Sequence, residues 1–181
     1  MMSRYRFQLV GVVVFVSLGF SWPLGIRVAT AHAKSPNIVM ILVDDMGYGD
    51  AQCYNSESKI PTPTINQLAR DGMRFTDVHA AGPLCHMSRY GLLTGRYPFR
   101  TDVSLWPNQP LITSDQTTIA SLLASSNYET AMVGKWHLGF EENGYDSPLP
   151  GGPVDRGFDS FFGIRASTDI PPYFYIRDNQ A

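Results

Sequence analysis

The run Asn37-Ile38-Val39-Met40-Ile41-Leu42-Val43 is apolar at every position after the first and stops abruptly at Asp44-Asp45-Met46-Gly47-Tyr48-Gly49-Asp50. A short continuous apolar run bounded by turn formers predicts a strand buried on both faces, the kind found in parallel sheets. Two carboxylates at its carboxyl end carry a second implication, because ligands of open α/β sheets bind outside those strand ends. Gly47 and Gly49 let the chain turn so that both acids address one centre. A solvated turn built on aspartate reads the same by position alone.

Downstream, Thr62-Pro63 reads as a helix cap followed by proline at the first helical position, and Ile65, Leu68 and Ala69 make an apolar stripe ending at Asp71-Gly72. Met73-Arg74-Phe75-Thr76-Asp77-Val78 then alternates like a strand. Thr118 repeats the cap, Ile119, Leu122 and Leu123 repeat the stripe, and Thr130-Ala131-Met132-Val133 repeats the strand. This order predicts an α/β fold, a mostly parallel sheet sandwiched between helices. The last strand runs into Gly134-Lys135-Trp136-His137-Leu138-Gly139. Lys135 and His137, two apart, project to one side of an extended chain and would suit an anionic ligand. Two solvated side chains on a surface strand would read alike.

Composition narrows the function. The 181 residues, 44% hydrophobic and 17% charged, match one globular domain. Residues 1–33 hold Arg4, Arg6 and Arg27 and no acid, which leaves 11 basic against 16 acidic groups in the remainder. With no basic surplus to neutralise phosphates, a nucleic-acid partner is not expected. Arg4 and Arg6 precede an apolar stretch at 7–20, and Ala31-His32-Ala33 supplies a small-x-small cleavage pattern. An export signal over residues 1–33 is expected, with a mature chain starting at Lys34 in the periplasm or outside the cell. The stretch is shorter than the roughly 20 residues a membrane-crossing helix needs, so no stable span is expected after cleavage. Cys53 and Cys85 allow at most one bridge, and Cys53 is expected to pack in the core.

Between the two units lies Gly82-Pro83-Leu84-Cys85-His86-Met87-Ser88-Arg89-Tyr90-Gly91. A helix beginning near Ser88 would set Cys85 just before its N-terminus, where unpaired amides and the helix dipole stabilise anions. Cys85 there is either an activated thiolate or a small buried apolar residue.

Cys85-x-x-Ser88-Arg89 followed by Leu92-Leu93-Thr94-Gly95-Arg96-Tyr97-Pro98 resembles the signature of type I sulfatases, and Gly134-Lys135-Trp136-His137-Leu138-Gly139 is similar to their second signature. The segments from Pro36 to Asp50 and Gly157-Phe158-Asp159-Ser160-Phe161-Phe162-Gly163 are similar to further family segments, in family order. The resemblance implies an alkaline-phosphatase-like α/β fold and hydrolysis of sulfate esters, the substrate being a sulfated carbohydrate or an aryl sulfate. It implies a formylglycine (3-oxoalanine) made from Cys85 by a maturation enzyme. One hydroxyl of the aldehyde hydrate would attack sulfur and displace the alcohol or phenol, and the second would then expel sulfate. By the same resemblance Asp44 and Asp45, with position 85, would ligate Ca²⁺. Arg89 would hold the hydrate, Lys135 would bind the sulfate ester, and His137 would hydrogen-bond the second hydroxyl.

His86 stands at a variable position of that signature. Met87 stands where the family pattern has proline or, alternatively, alanine, and proline's fixed φ shapes the extended segment that maturation reads. Residues 34–181 are expected to be the N-terminal portion of a longer catalytic domain, with further calcium and sulfate ligands beyond it. Two other readings stay open: a phosphate or sulfonate hydrolase of the wider alkaline phosphatase superfamily, and a catalytically incompetent remnant.

Overall fold

The computed structural model describes residues 35–103 and 108–181; the expected export signal, residues 1–33, lies outside them. The chain divides into Met1–Ile41 and Leu42–Ala181, and all that follows concerns the larger unit, apart from the apolar run at 37–43. In chain order that unit holds helices α1 (Pro63–Asp71), α2 (Cys85–Thr94) and α3 (Ile119–Ala124), then strands β1 (Ala131–Lys135), β2 (Ser160–Ile164) and β3 (Tyr175–Arg177).

The helix boundaries follow local chemistry. Pro63 opens α1, where its missing N–H costs nothing. At α3, Thr118 accepts from the Ser121 amide while the Ser121 hydroxyl accepts from the Thr118 amide, a reciprocal cap. α2 starts at Cys85, three residues earlier than Ser88, because extended Leu84 caps it and the Ser88 hydroxyl donates to the Gly82 carbonyl at 2.7 Å. It ends at Gly95, whose φ of 67° suits a residue without Cβ. His86, Arg89 and Tyr90 are its buried residues, with Leu93 half-buried against the core on the same face.

The sheet runs β1-β2-β3. β1 and β2 are parallel with Ala131 opposite Ser160, and β2 and β3 are antiparallel with Phe162 opposite Arg177. The fold class is α/β, but the sheet is mixed, because the short link from Ile164 to Tyr175 returns β3 against β2. A clamp sets the start of β1: the Asp159 carboxylate accepts from the Thr130 amide at 2.7 Å and from its hydroxyl at 2.9 Å. β1 and β2 approach closely at Gly134 and Gly163.

Two expected strands do not form. Residues 37–43 have no strand partner among the described residues, and from Ile38 to Val43 they are 48–84% exposed. Residues 73–78 likewise lack a ladder. A strand exists through its hydrogen-bonded neighbour, and local alternation does not supply one. Cys53 is half-buried rather than part of the core, and both cysteines are free thiols.

The core holds Tyr90, Ile112, Trp136, Leu138, Phe140, Leu149, Phe161 and Ile176, all at most 1% exposed. Each large side chain contributes about 1.5–3 kcal/mol of hydrophobic stabilisation. Trp136, Leu138 and Phe140 enter it from one stretch, with Lys135 just before them and His137 and Gly139, both at left-handed φ, between them. Trp136 Nε1 donates to the Gly139 carbonyl at 2.9 Å, so its buried N–H is satisfied.

A Cβ at Gly163 would fall 1.7 Å from the Gly134 carbonyl oxygen, whereas one at Gly49 meets Asn55 at 3.4 Å. Gly163→Ala is expected to destabilise the chain by about 3 kcal/mol or more, and Gly49→Ala by under about 1 kcal/mol, as chemical denaturation with a matched m-value will show.

Candidate active site

The end of β1, the first turn and a half of α2 and the turn after Val43 bring the charged residues together. Lys135 is mostly buried, and its Nζ donates to Asp44 Oδ2 at 2.7 Å. Arg89, 8% exposed, donates from Nη1 to the Lys135 carbonyl oxygen at 2.5 Å and sets Nη2 3.6 Å from the same Asp44 oxygen. Two cations therefore converge on one carboxylate at a strand's carboxyl end. Partial burial is the largest single influence on Asp44 and pushes its carboxyl up. The Lys135 hydrogen bond and the charges of Lys135, Arg89 and His137 together hold it below the usual aspartate value.

His137 is 2% exposed and lies two residues beyond Lys135, where its amide still donates to the Arg165 carbonyl. Its φ of 58° places a non-glycine residue in the left-handed region, a cost of about 1–3 kcal/mol that clusters at functional sites. Burial, followed by the charges of Lys135, His86 and Arg89, lowers its imidazole from 6.5 to about 4, against an opposing pull from Asp44. The ring is neutral at neutral pH and able to accept a proton.

Cys85 occupies the first position of α2, half-buried, one helical turn before Arg89. Burial lowers the Arg89 guanidinium from its ordinary value, while the Asp44 and Cys85 charges act in the opposite direction. Asp45, by contrast, sits at φ 55° and makes no ion pair or hydrogen bond among the described residues. The structure brings Asp44, Arg89 and Lys135 into contact, with His137 and Cys85 in their electrostatic range, while Asp45 joins none of their ion pairs or hydrogen bonds.

As a calcium centre the described residues fall short. Ca²⁺ takes 6–8 oxygens, and no group of three possible ligand side chains occurs among the described residues. Asp44 Oδ2 accepts instead from Lys135 Nζ. In this chain Asp44 is the counter-ion of two cations.

Two residues of this region lie outside the expected site set. His86, named from the sequence only as a variable position of the signature, is 1% exposed and packs its ring 5.5 Å from that of His137, and burial followed by the Lys135 charge lowers its imidazole. Its helical spacing with Arg89, Tyr90 and Leu93 is the signal that identifies it. Asp169 hydrogen-bonds Ser167, which with its own backbone lowers its carboxyl, and it feels the Lys135 and His137 charges from the loop before β3. No local pattern marks it.

The sign of the His137 shift fixes a pH dependence. Between about pH 6.5 and 4 the unfolded chain binds a proton at His137 that the folded chain refuses, so stability falls on acidification through that window and the loss is complete below it. The contribution is about 3 kcal/mol. His137→Phe is expected to flatten the decline of the thermal midpoint across this window, as calorimetry at stepped pH will measure.

A sequence model of the Sulfatase family matches residues 36–180. Human arylsulfatase A is 41% identical over 155 residues, covering 82% of this chain and 29% of the relative, and human steryl-sulfatase is 37% identical over 162 residues, covering 84% and 27%. N-acetylgalactosamine-6-O-sulfatase of Bacteroides thetaiotaomicron is 35% identical over 153 residues, covering 81% and 30%. The chain thus spans under a third of the length of these curated relatives. Among solved structures, a Bacteroides thetaiotaomicron protein described in work on metabolism of multiple glycosaminoglycans aligns with a TM-score of 0.70 at 35% identity, covering 76% of this chain and 30% of that one. Ps i-CgsB in complex with k-i-k-neocarrahexaose aligns with a TM-score of 0.59 at 34% identity, covering 68% and 27%. With a family match over most of its length and a shared fold, the chain belongs to the sulfatase family.

Proposed function

We propose that this chain carries the anion-binding and nucleophile-bearing part of an exported sulfuric ester hydrolase. The observation that supports this most is the convergence of Lys135 and Arg89 on one carboxylate beside Cys85. A sulfate ester offers the oxygens that such buried cations favour, and charge developing in transfer is stabilised most where water is excluded. In this reading Lys135 Nζ binds a sulfate oxygen and Arg89 orients residue 85 from one turn along the helix. His137, neutral, accepts a proton at the reacting centre. Position 85 would carry the formylglycine that a maturation enzyme makes from Cys85, a group that would supply an oxygen nucleophile in place of sulfur.

A sulfated carbohydrate is the favoured substrate class, since a relative is named for N-acetylgalactosamine 6-O-sulfate chemistry and a structural neighbour is titled with a bound neocarrahexaose. Export through residues 1–33 fits the same reading, and no helix among the described residues is long and apolar enough to cross a membrane. One observation favours a second reading, a sulfate-ester-binding protein without turnover. Met87 stands at the family's proline position, in the segment that maturation reads.

The chain, expressed with a formylglycine-generating enzyme, is expected to show an aldehyde at position 85 by peptide mass spectrometry and to hydrolyse an aryl sulfate. Lys135→Ala is expected to lower the rate by about 10²–10³-fold, and Cys85→Ala to abolish it. Unmodified cysteine in such a host removes the formylglycine mechanism and leaves the second reading; unchanged rates in both variants refute the assignment.

A further inference from the structure

His86 is the buried side chain whose chemistry the roles above leave unused. It lies in the first turn of α2, directly after Cys85, and is 1% exposed. Its Nε2 has no hydrogen-bond partner among the described residues, and neither does Nε of Arg89, three residues along the same helix face. Leaving a buried polar atom unsatisfied costs about 1–3 kcal/mol, and each such atom calls for an explanation. Arg89 Nε can only donate, so its missing partner is an acceptor, and a neutral His86 ring protonated at Nε2, on the same helical face and within reach of the Lys135 charge, would donate in the same sense. The helix contributes in the same sense, since the amides of its first turn point their positive end at this region. The ring sits against that of His137, on the side of α2 that meets the end of β1.

We propose that His86 is a binding residue of the sulfate-ester site: as a neutral imidazole it donates a hydrogen bond from Nε2 to an oxygen of the tetrahedral anion, alongside the Arg89 guanidinium. The inference rests on the sulfatase reading and adds a contact to it. A buried, uncharged donor suits such an oxygen because it needs no counter-ion of its own, whereas a third cation beside Lys135 and Arg89 would face their repulsion.

The test uses the full chain and inorganic sulfate as probe. The chain has four histidines, so the imidazole nitrogens can be followed individually by ¹⁵N NMR. Sulfate is expected to shift the His86 Nε2 resonance as a protonated nitrogen entering a hydrogen bond. By calorimetry, His86→Phe, which keeps the ring volume and removes both nitrogens, is expected to weaken sulfate binding by about 10-fold or more, as loss of a hydrogen bond to a charged group predicts. His86→Gln, which returns an N–H donor, is expected to recover most of that loss. Sulfate affinity unchanged in His86→Phe, with Lys135→Ala abolishing binding, overturns the role of His86 and leaves the sulfatase reading standing. No sulfate binding by the native chain overturns both. Should His86→Phe fail to fold, the native chain's NMR decides, and an Nε2 resonance unmoved at saturating sulfate overturns the proposal.

Discussion

Two cations share one carboxylate oxygen, and the rest of the site depends on that arrangement. Lys135 and Arg89 are both largely buried, and burying either alone would carry a desolvation cost of several kcal/mol. Asp44 offsets part of it, and the Lys135 carbonyl takes a second Arg89 donor. The same three residues join parts of the chain far apart in sequence: the turn at 44, helix α2 and the end of β1. Positive charge is thereby concentrated at one place in a chain that carries a net excess of acid beyond residue 33.

The alternation that begins at Lys135 separates packing from chemistry. Trp136, Leu138 and Phe140 go to the core at 0–1% exposure, which anchors the backbone between them. Burial of these neighbours thus adds to the contacts of Lys135 with Asp44 and of the His137 amide with the Arg165 carbonyl. That support allows His137 to keep a left-handed backbone and a neutral ring among cations, both unfavourable in isolation.

The parts of the fold that could be read from residues alone are those whose cause is local. Thr118 with Ser121 is a self-contained cap, and Thr130 to Val133 is a strand that finds its partner. The run at 37–43 carries the composition of a doubly buried strand, but composition states only what the run tolerates and says nothing of what lies beside it. The true start of α2 escaped notice because Leu84 caps it by backbone shape, with no side-chain signal. In the site, Lys135 stands at a strand's carboxyl end as the pattern predicts, whereas His137 lies past that strand at left-handed φ and Asp44 follows a run that forms no ladder, so extended spacing does not account for either. Asp45 reads as equivalent to Asp44, yet among the described residues only Asp44 makes an ion pair, and Asp45 sits at φ 55°, a difference that two identical neighbours do not reveal. Asp169 lies 32 residues past His137, and only the return of the chain toward β3 brings its charge into range.

Beyond His137 the chain is fastened again almost at once. The Leu111 amide donates to the Leu138 carbonyl at 2.9 Å, and Gly139 passes so near Gln109 that a Cβ would fall 2.0 Å from its carbonyl oxygen. The following excursion is closed at its base by the Glu141 amide on the Pro150 carbonyl and the Leu149 amide on the Asn179 carbonyl, each at 2.8 Å. Lengthening a loop so clamped costs only closure entropy, about 0.6 kcal/mol per doubling. One thread still runs from that stretch to the site: Arg165 Nε donates to Glu142 Oε1 at 2.6 Å while the Arg165 carbonyl accepts the His137 amide at 2.9 Å, so position 142 is braced against His137 through a single residue.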